Sequence, residues 1–399
     1  MNDNLQKLYN IAQKPSRLII GLMSGTSFDG LDIALCRFKN SGLATEVEIL
    51  NFETAEFDAS FKEEIKAVFI KEQVSLQKVT LLNATIGLTF GELIINTLKK
   101  WNIDIDTVDL IASHGQTIYH APFAQHHLKG QPNATLQIGD GDHIAQITNI
   151  ITISDFRQKH VAAGGEGAPL AVYGDYLLFS KKGENRIMLN IGGIANFTFL
   201  PASANAHEVF STDVGPGNTL LDQYIQKKYI HKYYDKDAEI ALTGTINQTL
   251  LDELLNHPFF SASFPKTTGP EIFNLAYLDV AMQKTNTITL SNADVLATLC
   301  KFSGHTIANA IKKCFNESHK PIIYISGGGI YNPLLISEIM NELPFAQFKN
   351  FNSLGLNPDA KEAVLFALLA NENICGNAIN FGNRNGIPSI CMGKINFPN

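Results

Sequence analysis

Twice in this chain an apolar β-type run breaks at a glycine-bearing turn and resumes as a second apolar run. Residues 17–38 read RLIIGLMSGTSFDGLDIALCRF, and residues 186–200 read RIMLNIGGIANFTFL. Apolar runs flanking a small-residue turn predict β-hairpins with glycine-rich tips. A hairpin that recurs about 170 residues later predicts an internal duplication, with two related α/β lobes and a ligand cleft between them. The expected lobes are 1–168 and 169–399. Helical periodicity is expected over Leu76–Lys100, Asn218–Lys228, Ala293–Phe315 and Ala360–Asn371, the last of these packing back on the first lobe as one option. Buried strands are expected at Val108–Ser113, Ile150–Ser154, Val209–Asp213 and Ile322–Ser326.

Composition narrows the function classes. With 399 residues, 45% hydrophobic and 17% charged, the chain can give each of two domains a core, which excludes a disordered or fibrous protein. A net charge of −7 without a basic patch disfavours a nucleic-acid partner. The five cysteines are widely spaced and form no C-x-x-C, so a structural zinc site is not expected. The first residues lack the apolar core of a secretory signal, and no run of about 18 apolar residues occurs, so the expectation is a cytoplasmic protein with no membrane partner. There is no G-x-x-x-x-G-K-[ST], no G-x-G-x-x-G between strand and helix, and no G-x-S-x-G. P-loop NTPases, Rossmann dehydrogenases and nucleophile-elbow hydrolases are thereby disfavoured.

The glycine loops carry the chemistry. Gly25, Thr26, Ser27 and Gly30 offer close backbone approach, hydroxyls and N–H groups to phosphate oxygens, and Asp29 and Asp32 add carboxylates for a divalent cation. A plain tight turn is the alternative. The Gly192-Gly193 tip is the second such turn. Asp213 closes a strand ahead of Gly215, Pro216, Gly217 and Asn218, so it is a candidate general base facing an anion at a helix start, or else a turn cap. Gly327, Gly328 and Gly329 follow an apolar strand, where backbone must pass close under a flat ligand such as a nucleobase. His114, Gln116 and His120 follow the strand LIAS and fit sugar-hydroxyl recognition better than metal ligation. Asp155, Arg157, His160 and Glu166 form a polar string that either lines the cleft or is an exposed connection.

Taken together, GLMSGTSFDGLDIAL, SHGQTIYHAP, LQIGDGDHIA, DFRQKHVAAGGEGAPL, LNIGGIANFT, DVGPGN, PKTTGPEIFN, SGGGIYNPLL and KEAVLFALLA resemble the anhydro-N-acetylmuramic acid kinase family from about Leu18 to Gly393. The resemblance implies the two-lobed, actin-like α/β fold shared with hexokinases and the Hsp70 ATPase domain, with ATP in the interlobe cleft. It implies ATP and Mg²⁺ as cofactors, and opening of the 1,6-anhydro bridge with phosphorylation of O6 in cell-wall recycling. On that likeness the segment Gly25 to Asp32, including Phe28 and Leu31, is the phosphate loop, Asp213 the catalytic Asp, and Glu362 a carboxylate near the substrate. The expected partners are ATP and a small anhydro amino sugar, with a homodimer as a candidate assembly.

Four positions depart from the family pattern. His160 stands for an Asp, Glu166 for a Gln, Val214 for a Thr beside the base, and Pro270 for an Arg. They keep two alternatives open: a related sugar kinase with another acceptor, and a non-catalytic nucleotide-binding sensor of the same fold.

Overall fold

The computed structural model describes residues 2–315, 320–382 and 387–398. The chain divides into two compact units, Met1–Leu178 with Asp359–Asn399, and Phe179–Pro358. This differs from a division at 168/169. Residues 169–178 and the whole C-terminal segment from Asp359 belong with the first unit.

In the first unit the hairpin forms as β1 (Ser16–Ser24) and β2 (Gly30–Lys39), followed by β3 (Glu46–Glu56), β4 (Leu110–Ala121), β5 (Ala134–Ile138) and β6 (Thr152–Ser154). The sheet runs β6-β4-β1-β2-β3, with the C-terminal strand Lys394–Asn396 beside β6 and β5 paired to β4. β1, β2 and β3 are antiparallel neighbours, whereas β4 lies parallel to both β1 and β6. The helix Leu76–Lys100 starts where the Ser75 hydroxyl accepts the Lys78 N–H. Leu82, Ile86, Phe90, Ile94 and Leu98, four residues apart, form its buried stripe. Each such side chain contributes about 1.5–3 kcal/mol on burial. This helix is long and apolar enough to cross a membrane by composition, but that stripe is committed to the core.

The helix Lys361–Cys375 packs on β1, β2 and β4. Gly21 permits this approach, because a Cβ there would lie 1.9 Å from the Ala363 carbonyl oxygen. Buried Arg17 ties the parts together, donating from Nε to Asn371 Oδ1 (2.7 Å) and from its other nitrogens to the Lys14 and Asn40 carbonyls.

The second unit repeats the plan. β7 (Arg186–Ile191), β8 (Ile194–Leu200), β9 (Phe210–Pro216), β10 (Ile322–Ser326) and β11 (Gln347–Asn350) lie in the order β11-β10-β7-β8-β9. Here too the first three strands are antiparallel and the next two run parallel to the first. The hairpin echo in the sequence is therefore a repeated five-strand topology, the order that the actin-like likeness implies. Helices Thr219–Lys228, Gln248–Leu255, Leu275–Lys284, Asn292–Lys312 and Pro333–Glu342 cover this sheet and a neighbouring apolar cluster.

Three local expectations change. β4 does not end at Ser113. After pairing with β6 and β1 it continues to Ala121 by pairing with β5, so His114 and Gln116 lie within a strand. β9 likewise runs to Pro216, which puts Asp213 inside the strand. The string from Phe156 is not a loose crossing, since Phe156–Ala162 is a helix with Phe156 and His160 buried four residues apart.

Candidate functional site

On the first unit, the turn between β1 and β2 exposes Thr26, Ser27 and Asp29, with Gly25 half-buried. Phe28 is buried edge-on to Phe69, with ring centroids 4.9 Å apart, and Leu31 is buried in the core, so both support the loop rather than present side chains to a ligand. Gly30 is required by its neighbour strand, because a Cβ there would lie 2.4 Å from the Ala55 carbonyl oxygen. Asp32 accepts the Thr54 hydroxyl at 2.6 Å. Burial raises its carboxyl above the usual range, and the charges of Asp359 and Asp29 add to this.

Gln116 is fully buried. Its Oε1 accepts the Ser24 hydroxyl, and its Nε2 donates to the Gly25 carbonyl (3.3 Å) and the Thr117 carbonyl (3.2 Å). The expectation of a sugar ligand here is replaced by a strut under the glycine loop.

Arg157 is the hub of the polar residues beside that loop. Its Nε–H donates to His114 Nε2 at 2.9 Å and its Nη1 to the Gly167 carbonyl at 2.7 Å. Burial, then the Arg157 charge, holds buried His114 well below the ordinary imidazole range, so it is neutral. His120 is lowered by the same two causes. Glu362, at the start of its helix, is open to solvent, yet the protein around it removes enough water to raise its carboxyl. The Arg157 charge opposes that rise and the Asp32 charge adds to it. Sequence positions 32, 114, 120, 157 and 362 thus belong to one electrostatic neighbourhood.

Close to it, a cavity of about 430 Å³ opens beside the middle of β4 and the carboxyl end of β6, walled by Ser113, His114, Gln137, Asp140, Asp155 and Lys394 among others. Carboxyl ends of parallel strands are where α/β proteins commonly bind ligands. Gln137 Oε1 is buried here without a hydrogen-bond partner among the described residues. Asp155 is paired with Lys394.

His160 is fully buried, its Nδ1 accepting the Gly167 N–H at 3.0 Å, and burial lowers its pKa to about 4, with the Arg157 charge adding. Glu166 is exposed. His160 is therefore a strut of the 160–167 turn, buried away from any ligand.

On the second unit, Asp213 is half-buried on β9. Its backbone N–H donates to the Lys266 carbonyl (2.9 Å), and its Oδ2 accepts the Thr268 N–H (2.9 Å). Burial raises its carboxyl, the Thr268 bond opposes this, and the Glu271 charge adds to it. Segment Lys266–Thr268 is thus a positioning element that strand reasoning missed, although PKTTGPE marks it. Neighbouring residues of a strand face opposite ways. Val214 accordingly lies in the apolar core, and the hydroxyl missing there was not on the carboxylate side.

The two glycine turns of this unit close on each other. N–H groups of Gly217, Asn218 and Thr219 donate to the Gly192 and Gly193 carbonyls. The helix start behind Asp213 therefore does not offer those donors to an anion, which corrects that expectation. A Cβ on Gly217 would lie 2.4 Å from the Gly192 oxygen, and Gly215 has φ +144°. In Gly327–Gly329 the outer glycines are forced by β7: a Cβ would lie 2.6 Å from the Ile191 oxygen at Gly327 and 2.2 Å from Ile191 Cγ2 at Gly329. Gly328 alone has room, and it lines a cavity of about 410 Å³ with Asn218, Asp222, Asp235, Tyr331 and Asn332. Asp222 and the 234–237 segment were not singled out from the sequence. A run of three acidic and basic residues in a surface loop gave no periodic signal to read.

A sequence profile of the family described as anhydro-N-acetylmuramic acid kinase matches residues 17–393. The chain belongs to that family. A protein of that description from Pseudoalteromonas atlantica is 56% identical over the whole of both chains. One from Caldanaerobacter subterraneus is 38% identical, covering 98% of this chain and 99% of its own. Among solved structures, an activator of 2-hydroxyisocaproyl-CoA dehydratase from Clostridium difficile with bound ADPNP has TM-score 0.39 at 11% identity, covering 90% of this chain and 96% of its own. A ROK family glucokinase from Streptomyces griseus in complex with glucose and AMPPNP has TM-score 0.32 at 10% identity, covering 88% and 98%.

Proposed function

We propose that this chain is an ATP-dependent kinase of 1,6-anhydro-N-acetylmuramic acid that adds water across the anhydro bridge and a phosphoryl group to O6. The observation that carries this reading is Asp213 in a full-length family match: one carboxylate oxygen is held by the Thr268 N–H, and the other has no partner among the described residues. A carboxylate oriented by one oxygen and open at the other is placed to take a proton from water.

In that reaction Asp213 removes a proton from water, and the oxygen of that water bonds to C1. The C1–O6 bond breaks with its electron pair going to O6. O6 then attacks the γ-phosphorus, the β,γ-bridging oxygen leaves with ADP, and Asp213 later releases its proton to solvent. The turn Gly25–Ser27 receives the phosphate chain, held in shape by Gln116 beneath it. Arg157, oriented by its hydrogen bond to the neutral His114, and Glu362 offer hydrogen bonds and charge to the sugar.

Among the described residues no group of three or more His, Cys, Asp or Glu could hold a metal ion. Asp29 and Asp32 with the hydroxyls of Thr26 and Ser27 fit the other mode, a hard cation held largely by nucleotide phosphates. When bound, Mg²⁺ neutralises phosphate charge. ATP and the anhydro amino sugar are the partners, and the cytoplasm the compartment, of this reading.

The altered-acceptor alternative loses support at Val214 and His160, which face inward, and keeps the exposed Glu166 and Pro270. The test is ADP release dependent on the anhydrosugar. Asp213→Asn is expected to slow it by about 10²–10⁴-fold, the usual worth of a positioned general base. Turnover by Asp213→Asn at the wild-type rate would remove the assigned base.

A further inference from the structure

Helix Thr219–Lys228 and the residue that caps it present Asn218, Leu221 and Asp222 to the 410 Å³ cavity of the second unit. Spacings of three and four place these side chains on one helical face. The opposite wall is Gly328, Tyr331 and Asn332, and the segment Tyr234–Asp237 closes a third side.

Three polar side chains of this wall, Asp235, Asn332 and Asn218, are committed elsewhere, and Tyr234, Lys236, Asp237 and Tyr331 are exposed. Both Asp235 oxygens accept backbone N–H groups, from Ile240 (3.0 Å) and Ala241 (2.9 Å). Asn332 Oδ1 accepts the Leu335 N–H at 2.9 Å. Asn218 Nδ2 reaches the Ile191 carbonyl at 3.4 Å. Asp222 differs: it is half-buried, and its carboxylate receives no hydrogen bond from the described residues. Withdrawing a carboxylate from water without a donor is costly. Burial accordingly pushes the Asp222 carboxyl up to about 6. An ionised carboxylate only accepts hydrogen bonds, so its complement must be rich in donors and must not be a phosphate.

We propose that Asp222 selects ribonucleosides, its carboxylate accepting hydrogen bonds from the ribose hydroxyls of the nucleoside in this cavity. The inference rests on the ATP-dependent reading above, with the adenosine end of ATP at Gly328. A vicinal diol offers two O–H donors to one carboxylate, which is the pairing this wall lacks.

The test uses adenosine, 2′-deoxyadenosine and 3′-deoxyadenosine as inhibitors competing with ATP in the full-length enzyme. In the wild type, loss of at least one hydroxyl is expected to weaken inhibition by about tenfold, the worth of a hydrogen bond to a charged group. Asp222→Ala is expected to inhibit alike with all three, at the weaker level. Asp222→Asn, which preserves shape, is expected to fall between the two. A general structural defect would weaken all three nucleosides without changing their ratio. The inference is overturned if the wild type shows no preference, or if Asp222→Ala retains it. Gly328→Val separates the two claims, because a Cβ there would meet only Asn218 Nδ2, at 3.8 Å, and Gly328 lines the cavity that the side chain would narrow. If Gly328→Val leaves both adenosine inhibition and the ATP KM unchanged, the cavity is not the nucleoside site and the placement of adenosine at Gly328 falls with the ribose assignment, whereas loss of ATP dependence in the wild type would remove the underlying reading. If Gly328→Val weakens both while the Asp222→Ala ratio stays wild-type, the ribose assignment alone falls.

Discussion

Asp213 combines a raised carboxyl pKa with a fixed orientation. Because burial lifts it, the proposed base loses its ionised form at a higher pH than a solvated Asp. The acid limb of kcat/KM is therefore expected above the ordinary carboxylate range. A limb at or below that range in a pH–rate profile would contradict the desolvated placement. His160 acts on stability instead. Burial holds its pKa in the folded state at about 4, below the ordinary imidazole value of 6.5. As pH falls through 6.5 the unfolded chain gains the proton first, so the stability present at neutral pH is lost progressively until the native state protonates near 4. Between pH 7 and pH 5 this amounts to about 2 kcal/mol. His160→Gln keeps an acceptor for the Gly167 N–H and is expected to lose about that much less stability over the interval, read by urea unfolding at both values. Equal losses in both proteins would contradict the assignment. At this scale the sequence identified Asp213 and Arg157 through motifs, but it could not tell an outward polar residue from an inward one. Gln116 and His160 are polar in sequence and structural in space, because a buried turn and a glycine loop need satisfied backbone groups.

Elements with strong periodicity were legible. Both hairpins and the helix Leu76–Lys100 follow directly from apolar spacing. What escaped were elements whose stability comes from neighbours. β4 continues past His114 because β5 supplies a new partner where β1 and β6 stop. Helix Phe156–Ala162 is too short to show a pattern, and β11 is a four-residue edge strand, Gln347–Asn350, of mixed polarity. The three-glycine run divides in the same way. Gly329 is demanded by contact with β7, whereas a Cβ on Gly328 would meet only Asn218 Nδ2, at an ordinary 3.8 Å. Gly329→Ala is expected to cost about 1–3 kcal/mol through overpacking against Ile191. Gly328→Ala is expected to stay within about 0.5 kcal/mol of the wild type. Thermal or urea unfolding of the two variants would show it, and equal destabilisation would contradict the packing described for this loop.

At the scale of the whole molecule, the repeated strand order in two units is the physical content of the sequence echo. Its C-terminal exception is equally informative. The chain leaves the second unit at Pro358, and the helix Lys361–Cys375 completes the first, with Ala363 through Ala370 buried. No local pattern in the sequence identifies which sheet receives that helix; the Gly21 notch does. A chain ending at Pro358 should expose the apolar face of β1, β2 and β4, and is expected to be cleaved rapidly by protease within residues 1–178 while 179–358 resist. Equal resistance of both parts would argue against the division. The central claim, however, concerns the reaction. The most direct measurement is mass analysis of the product formed from ATP and anhydro-N-acetylmuramic acid in ¹⁸O-water. The account predicts one phosphoryl group and one ¹⁸O atom gained per sugar, with one ADP released for each. A phosphorylated product without ¹⁸O, or ADP release that ignores the sugar, would contradict it.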